Sequence, residues 1–185
     1  MTLHIVGVGV CSGHLTERAI ELIKNADVVY GSRRALKLAD KYITGEKRVM
    51  RYNDAEYRRI EEEGRGKNVV VLSTGDPMVS GLGSKLNGLV EPGISSVQVA
   101  LAKLGVDLCE VVVVDAHARR PGNLEELLKF RDLLILADRN FDIKIFGDRE
   151  VCLIENLCME NERIVFGRGS DLEIKSDYAI IFVRR

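Results

Sequence analysis

The 185-residue chain has almost no net charge: 27 Lys and Arg against 28 Asp and Glu leave −1, with an isoelectric point near 6.3. Without a basic excess there is no electrostatic footprint for nucleic acid or for an anionic membrane surface. Long apolar runs are missing too; none approaches the roughly 20 residues that span a bilayer. The opening Met1-Thr2-Leu3-His4-Ile5-Val6 has neither the charged start nor the long apolar stretch of a secretory signal. It reads as a first strand, and a cytoplasmic protein with no membrane or nucleic-acid partner is expected. Metal-binding spacings are absent. Cys11, Cys109, Cys152 and Cys158 form no C-x-x-C pair, and His4, His14 and His117 are scattered. No metal is expected, and the thiols read as reduced and mostly packed. Nor is there a convincing Ser/His/Asp or Cys/His set for nucleophilic catalysis, an internal repeat or a low-complexity segment.

What is present is an ordinary globular composition, 46 % hydrophobic and 30 % charged, enough for one large domain or two small ones. Apolar runs alternate with helical patterns. Strands are predicted at 3–8, 28–30, 49–52, 68–73 and 111–114. Helices are predicted at 15–25 with Thr16 as N-cap, at 34–42, at 55–63, in short form at 84–89, and at 95–104. The 68–73 run is apolar throughout, as in a parallel strand buried on both faces. Such alternation predicts an α/β fold with a mostly parallel sheet and flanking helices. From Asp115 to Gly122 the chain turns polar and basic, which reads as a linker. Beyond it come a capped helix at 123–130 and strands at 133–137, 150–154, 163–166 and 179–183. The expectation is two domains, 1–116 and 117–185, the second a smaller α/β unit with a mixed sheet.

Three segments look like a site. Gly7-Val8-Gly9-Val10-Cys11-Ser12-Gly13 follows the first strand, where glycines allow a tight turn and close backbone approach to a ligand. Taken alone it fits a dinucleotide fold equally well, and Arg33-Arg34 after the second strand would suit the 2′-phosphate of NADP. Gly75-Asp76-Pro77, followed by Gly81 and Gly83, lies at the carboxyl end of the most apolar strand, where open α/β sheets bind ligands. Glu91-Pro92-Gly93-Ile94-Ser95-Ser96 makes a turn into a helix whose first hydroxyls and N–H groups face outward.

Together, and with Leu15-Thr16 after the first loop, these segments resemble the tetrapyrrole methylase family in order and spacing, and the resemblance covers nearly the whole chain. Asp115-Ala116-His117-Ala118-Arg119, Leu134-Ile135-Leu136-Ala137-Asp138, Glu155-Asn156-Leu157 and Asn161-Glu162-Arg163-Ile164 are similar to segments of the branch acting on cobalt-precorrin-7 at C-5. The first loop departs from the Gly-Pro-Gly-Asp of many relatives, and Ala118 stands where they carry glycine.

The resemblance implies S-adenosylmethionine bound in a cleft between two domains, leaving as S-adenosylhomocysteine. Gly75, Asp76, Val79, Ser95 and Ser96 would line it, joined by Ala137, Leu157 and Ala179 from the second domain. The first loop, with Gly9 and Val10, would face a tetrapyrrole substrate whose carboxylates call for arginine. Arg33 and Arg120 are the substrate-binding candidates, with Arg34 near them. His117 and Arg119 are the candidates for substrate orientation or proton movement. The implied reaction is C-5 methylation of cobalt-precorrin-7 in cobalamin biosynthesis, by a homodimer working beside a separate C(15)-methyltransferase/decarboxylase. The siroheme and diphthamide branches of the family, and an NADP-binding oxidoreductase, stand as alternatives.

Overall fold

Five short strands form the first sheet of the computed structural model, which describes residues 1–117 and 121–185. They are β1 (Thr2–Gly7), β2 (Val28–Gly31), β3 (Glu46–Val49), β4 (Asn68–Ser73) and β5 (Leu89–Glu91). Their order is β3-β2-β4-β1-β5, and every pair is parallel. A sheet buried on both faces needs apolar residues at successive positions. One face joins Ile5, Tyr30, Val69 and Val71 to Tyr57 and Ile60 of α3 (Asp54–Gly64). The other joins Val6, Val29, Val70 and Leu72 to α1 (Glu17–Lys24) and α2 (Arg33–Ala39) through Ala19, Ile23, Ala35 and Leu36. Each helix starts at a side-chain cap: Thr16 accepts from Ala19 N, Ser32 from Ala35 N and Asn53 from Glu56 N. Such caps satisfy N–H groups that have no partner inside the helix.

Two local expectations are corrected. The third strand runs at Glu46–Val49, ahead of the expected 49–52, because the chain leaves the sheet at Tyr52, whose φ is 56°, and Asn53 caps α3. The stretch expected to be a short helix at 84–89 holds only a 3-10 turn at Leu82–Ser84, then edge strand β5. Gly83, Asn87 and Gly88 disfavour a helix, and Leu89 to Glu91 find a ladder along His4 to Val6.

The second sheet holds β6 (Val111–Asp115), β7 (Asp132–Ala137), β8 (Glu150–Glu155), β9 (Arg163–Arg168) and β10 (Ala179–Val183), in the order β6-β7-β10-β8-β9. β6 and β7 are parallel and the other pairs antiparallel. Leu133, Ile135, Leu153 and Ile181 pack on Leu124 and Leu128 of α5 (Leu124–Leu128) and on Phe146. The fold is therefore α/β with two sheets. The chain divides into Met1–Ser96 and Val97–Arg185. That division precedes the expected boundary at 116/117, because β6 hydrogen-bonds along β7 and belongs with the second sheet. Most of α4 (Ser96–Leu104) goes with it.

Among the described residues no helix is long and apolar enough to cross a membrane, and no three His, Cys, Asp or Glu side chains are grouped to hold a metal. Cys109 and Cys152 are free thiols. Cys11 and Cys158 are not, contrary to the reading from sequence.

Candidate active site

Strands β4, β1 and β5 are neighbours and parallel, so their carboxyl ends open side by side. Gly7 is level with Ser73 and Val6 with Glu91. All three glycine-bearing loops therefore leave one edge of the first sheet, where ligands bind in open α/β folds.

These loops touch backbone to backbone. Val8 N donates to Ser73 O at 3.0 Å, and Gly9 and Gly75 exchange N–H···O bonds of 3.2 and 2.9 Å. A side chain on Gly7 would place its Cβ 2.6 Å from Gly93 N and 2.8 Å from Gly75 O; one on Gly93 would lie 2.4 Å from Gly75 O. Glycine is needed at 7 and 93 for this close approach. Gly75 needs it differently, since its φ is +75°.

Asp76 locks the arrangement. Its Oδ2 accepts from Gly93 N at 3.0 Å and its Oδ1 from Met78 N at 2.7 Å. The carboxylate thus joins the loop after β4 to the loop after β5, and it is half-buried. Val79, also half-buried, donates its N–H to Asp76 O at 3.2 Å. Ser95 is 3 % exposed, and Ser96 opens α4. A Cβ on Gly75 would meet Val10 Cγ1 at 3.5 Å and Ser95 Cα and Ser96 N at 3.7 Å. The structure thus brings Gly9, Val10, Gly75, Asp76, Val79, Ser95 and Ser96 to one edge. Arg33 stands exposed at the first position of α2, while Arg34 Nη2 donates to Val10 O at 3.0 Å and so steadies the first loop.

The remaining described candidates lie in the second unit. Ala137 and Ala179 face each other across β7 and β10, Ala179 is level with Glu155, and Leu157 follows β8. All three gather at one end of the second sheet. The side chains of Ala137 and Ala179 are spent in the core, at 0 and 1 % exposure. Any ligand contact from them is therefore by backbone. His117 follows β6, its N–H donating to Asp115 Oδ1 at 3.1 Å. Its Nδ1 lies 3.5 Å from the same oxygen and, though buried, has no hydrogen-bond partner among the described residues. Arg119 and Arg120 lie outside the described residues.

The residue pattern of the tetrapyrrole (corrin/porphyrin) methylases matches residues 2–173. The chain belongs to that family. It is 31 % identical to the cobalt-precorrin-7 C(5)-methyltransferase of Salmonella typhimurium, with 88 % of each chain covered. The crystal structure of a cobalamin-biosynthesis precorrin-6Y methylase from Archaeoglobus fulgidus matches with a TM-score of 0.90 at 54 % identity, covering 100 % of this chain and 98 % of that one. A uroporphyrin-III C-methyltransferase from Thermus thermophilus, complexed with S-adenyl homocysteine, shares the fold with a TM-score of 0.80 at 23 % identity, covering 100 % and 98 %.

As a tetrapyrrole methylase, the protein is a methyltransferase, and several of its motif residues prove to be architecture. Glu155 is 2 % exposed; its Oε1 accepts from Lys175 N at 2.5 Å and Ser176 N at 2.8 Å, and its Oε2 pairs with Arg163 at 2.5 Å. It pins the segment leading into β10. Glu162 accepts from Cys158 N at 2.7 Å and Lys103 Nζ at 2.8 Å. The Cys158 N–H first, then Lys103, holds its carboxyl below the usual range. Sequence reasoning missed the clamp from Asp76 to Gly93 and the bond from Arg34 to Val10. Both are long-range, and no local pattern announces them.

Proposed function

We propose that this methylase transfers a methyl group from S-adenosylmethionine to C-5 of cobalt-precorrin-7, giving cobalt-precorrin-8. The observation that carries the reading is the meeting of three glycine-bearing loops at the carboxyl ends of β1, β4 and β5, in a chain of a methylase family whose relative in Salmonella typhimurium is named for that reaction.

The local structure fits a cofactor approached along backbone. Gly75 presents no side chain where Val10, Ser95 and Ser96 converge, and the first N–H groups of α4 have no partners within the helix. Gly75, Asp76, Val79, Ser95 and Ser96 would hold the cofactor, with backbone from Ala137, Leu157 and Ala179. Asp76 would act mainly by keeping the two loops at fixed separation, since both its oxygens are already engaged. S-adenosylmethionine, when bound, supplies an electrophilic methyl group on a sulfonium centre. The chain's own residues then have positional work: to hold a substrate carbon in line and about 3–3.5 Å from that methyl, and to exclude water. No protein nucleophile is called for.

Gly9, Val10, Arg33 and Arg120 would bind the substrate, and His117 with Arg119 would orient it or move a proton. The active species would be a cytoplasmic homodimer, with a separate C(15)-methyltransferase/decarboxylase acting on the same series of intermediates. Calorimetry with S-adenosylhomocysteine and with NADPH tests the cofactor. Binding of the first alone is expected; binding of NADPH alone would overturn the reading in favour of an oxidoreductase.

A further inference from the structure

We propose that Arg51, on the turn after β3, is a carboxylate-binding residue for the tetrapyrrole and acts beside Arg33 on the turn after β2. This rests on the function proposed above and adds a residue to its site. In the β2–β3 ladder Gly31 is level with Val49, and Met50 N donates to Gly31 O at 3.0 Å, so the strands stay paired to their ends. Arg33 and Arg51 each stand two residues beyond those paired positions, on the edge that also carries the three glycine-bearing loops.

The arginines of this region divide into two kinds. Arg34 is bonded to Val10 O, and Arg48 is bonded to Tyr30, Glu46 and Glu63. These hold the fold. Arg33 and Arg51 are exposed, and among the described residues neither guanidinium has a hydrogen-bond or ion-pair partner. Arg51 is nevertheless held in place. Glu56, only 9 % exposed, accepts the Arg51 N–H on Oε2 and the Arg59 guanidinium on Oε1. The next residue, Tyr52, keeps a left-handed φ of 56° that non-glycine residues rarely adopt. A nearly buried carboxylate thus holds the backbone beneath an unpaired surface arginine, beside a tyrosine in a sparsely populated backbone region of the kind that clusters at ligand clamps.

The chemistry of the rim matches one class of ligand. Tyr52 and Met78 are 46 and 62 % exposed and offer apolar surface along the edge that bears the two guanidiniums. A polycarboxylated macrocycle has apolar faces and an anionic periphery, and guanidinium binds carboxylate through paired N–H donors.

The test is an absorbance titration with cobalt-precorrin-7, alongside calorimetry with S-adenosylhomocysteine, on Arg51→Gln, Arg51→Lys, Arg33→Gln and the control Arg65→Gln. Arg65 is exposed at the end of α3, ahead of the amino end of β4. Arg51→Gln and Arg33→Gln are each expected to weaken the macrocycle Kd on the order of tenfold and to leave S-adenosylhomocysteine binding unchanged. Arg51→Lys should recover part of the loss, and the losses should shrink as salt screens the charges. Arg51→Gln titrating like the unsubstituted protein would overturn the assignment, as would an equal loss in Arg65→Gln. If the unsubstituted protein binds S-adenosylhomocysteine but no tetrapyrrole, the proposed function itself fails and this inference falls with it.

Discussion

Gly93→Ala is the sharpest probe of the loop junction. The φ of Gly93 is not in the left-handed region, so the new methyl group brings no dihedral penalty. Its cost is steric. The Cβ would lie 2.4 Å from Gly75 O and 2.8 Å from Gly7 Cα and C, all of them backbone. Reaching ordinary contact requires the loop after β5 to withdraw by about 1 Å. A shift of that size stretches the 3.0 Å bond from Gly93 N to Asp76 Oδ2 beyond hydrogen-bonding range. Losing a hydrogen bond to a charged acceptor costs about 1.5–3 kcal/mol, and overpacking adds about 1–3 kcal/mol. A total of roughly 2.5–6 kcal/mol is a large share of the ~5–15 kcal/mol that holds a typical domain together. Gly66→Ala is the matched control, because its Cβ would meet only Glu63 O, at 3.9 Å. Urea unfolding, with S-adenosylhomocysteine calorimetry on the folded fraction, measures both consequences. The expected result is a large loss of stability and of cofactor affinity for Gly93→Ala, and little change for Gly66→Ala. A Gly93→Ala protein within about 0.5 kcal/mol of the parent, binding S-adenosylhomocysteine normally, would refute the idea that close backbone contact builds this edge.

Three further outcomes follow from particular contacts. Glu155→Ala should cost about 3–5 kcal/mol in urea unfolding, because it strands two backbone N–H groups and Arg163; a loss below about 1 kcal/mol would show that the segment into β10 holds without it. Glu162 has a depressed carboxyl pKa, so its stabilisation is present above the ordinary carboxylate range and is lost as pH falls through the depressed value. Glu162→Gln should therefore lower the Tm at neutral pH, with the gap narrowing as pH falls below the ordinary carboxylate range; a gap that acidification leaves unchanged would contradict this. Burial pushes the Cys152 thiol up to about 11, so without reductant at about pH 8 iodoacetamide should label exposed Cys109 first and Cys152 only on unfolding. Mass spectrometry showing early Cys152 labelling in the folded protein would refute it.

The fold was most legible where a pattern is local and strong. β4 and β10 occupy the predicted ranges, because runs such as Val69-Val70-Val71-Leu72 have no alternative to burial. Thr16 and Asn123 cap helices as expected, because capping depends on neighbours in sequence. β5 was missed because a three-residue edge strand owes its existence to β1, not to its own residues. β3 was misplaced because a positive φ at Tyr52 cannot be read from a tyrosine. The site shows the same division. The motifs point to Gly75, Asp76, Ser95 and Ser96, and these four residues do come to one edge of the first sheet. That the Asp76 carboxylate turns to Gly93, 17 positions away, depends on strand order. So does the gathering of Ala137 and Ala179, which follows from the β7–β10 register. Glu155 and Glu162 were marked by motif alone, and only the loops they hold reveal them as braces.

These loops are proposed to serve methyl transfer to a corrinoid carbon. The most direct measurement incubates the protein with carbon-13 methyl-labelled S-adenosylmethionine and cobalt-precorrin-7, with the cobalt-free compound in parallel, and locates the label by NMR. One labelled methyl at C-5 of the macrocycle is expected, released with S-adenosylhomocysteine. A label at another carbon, or no transfer by a protein that binds both ligands, would contradict it.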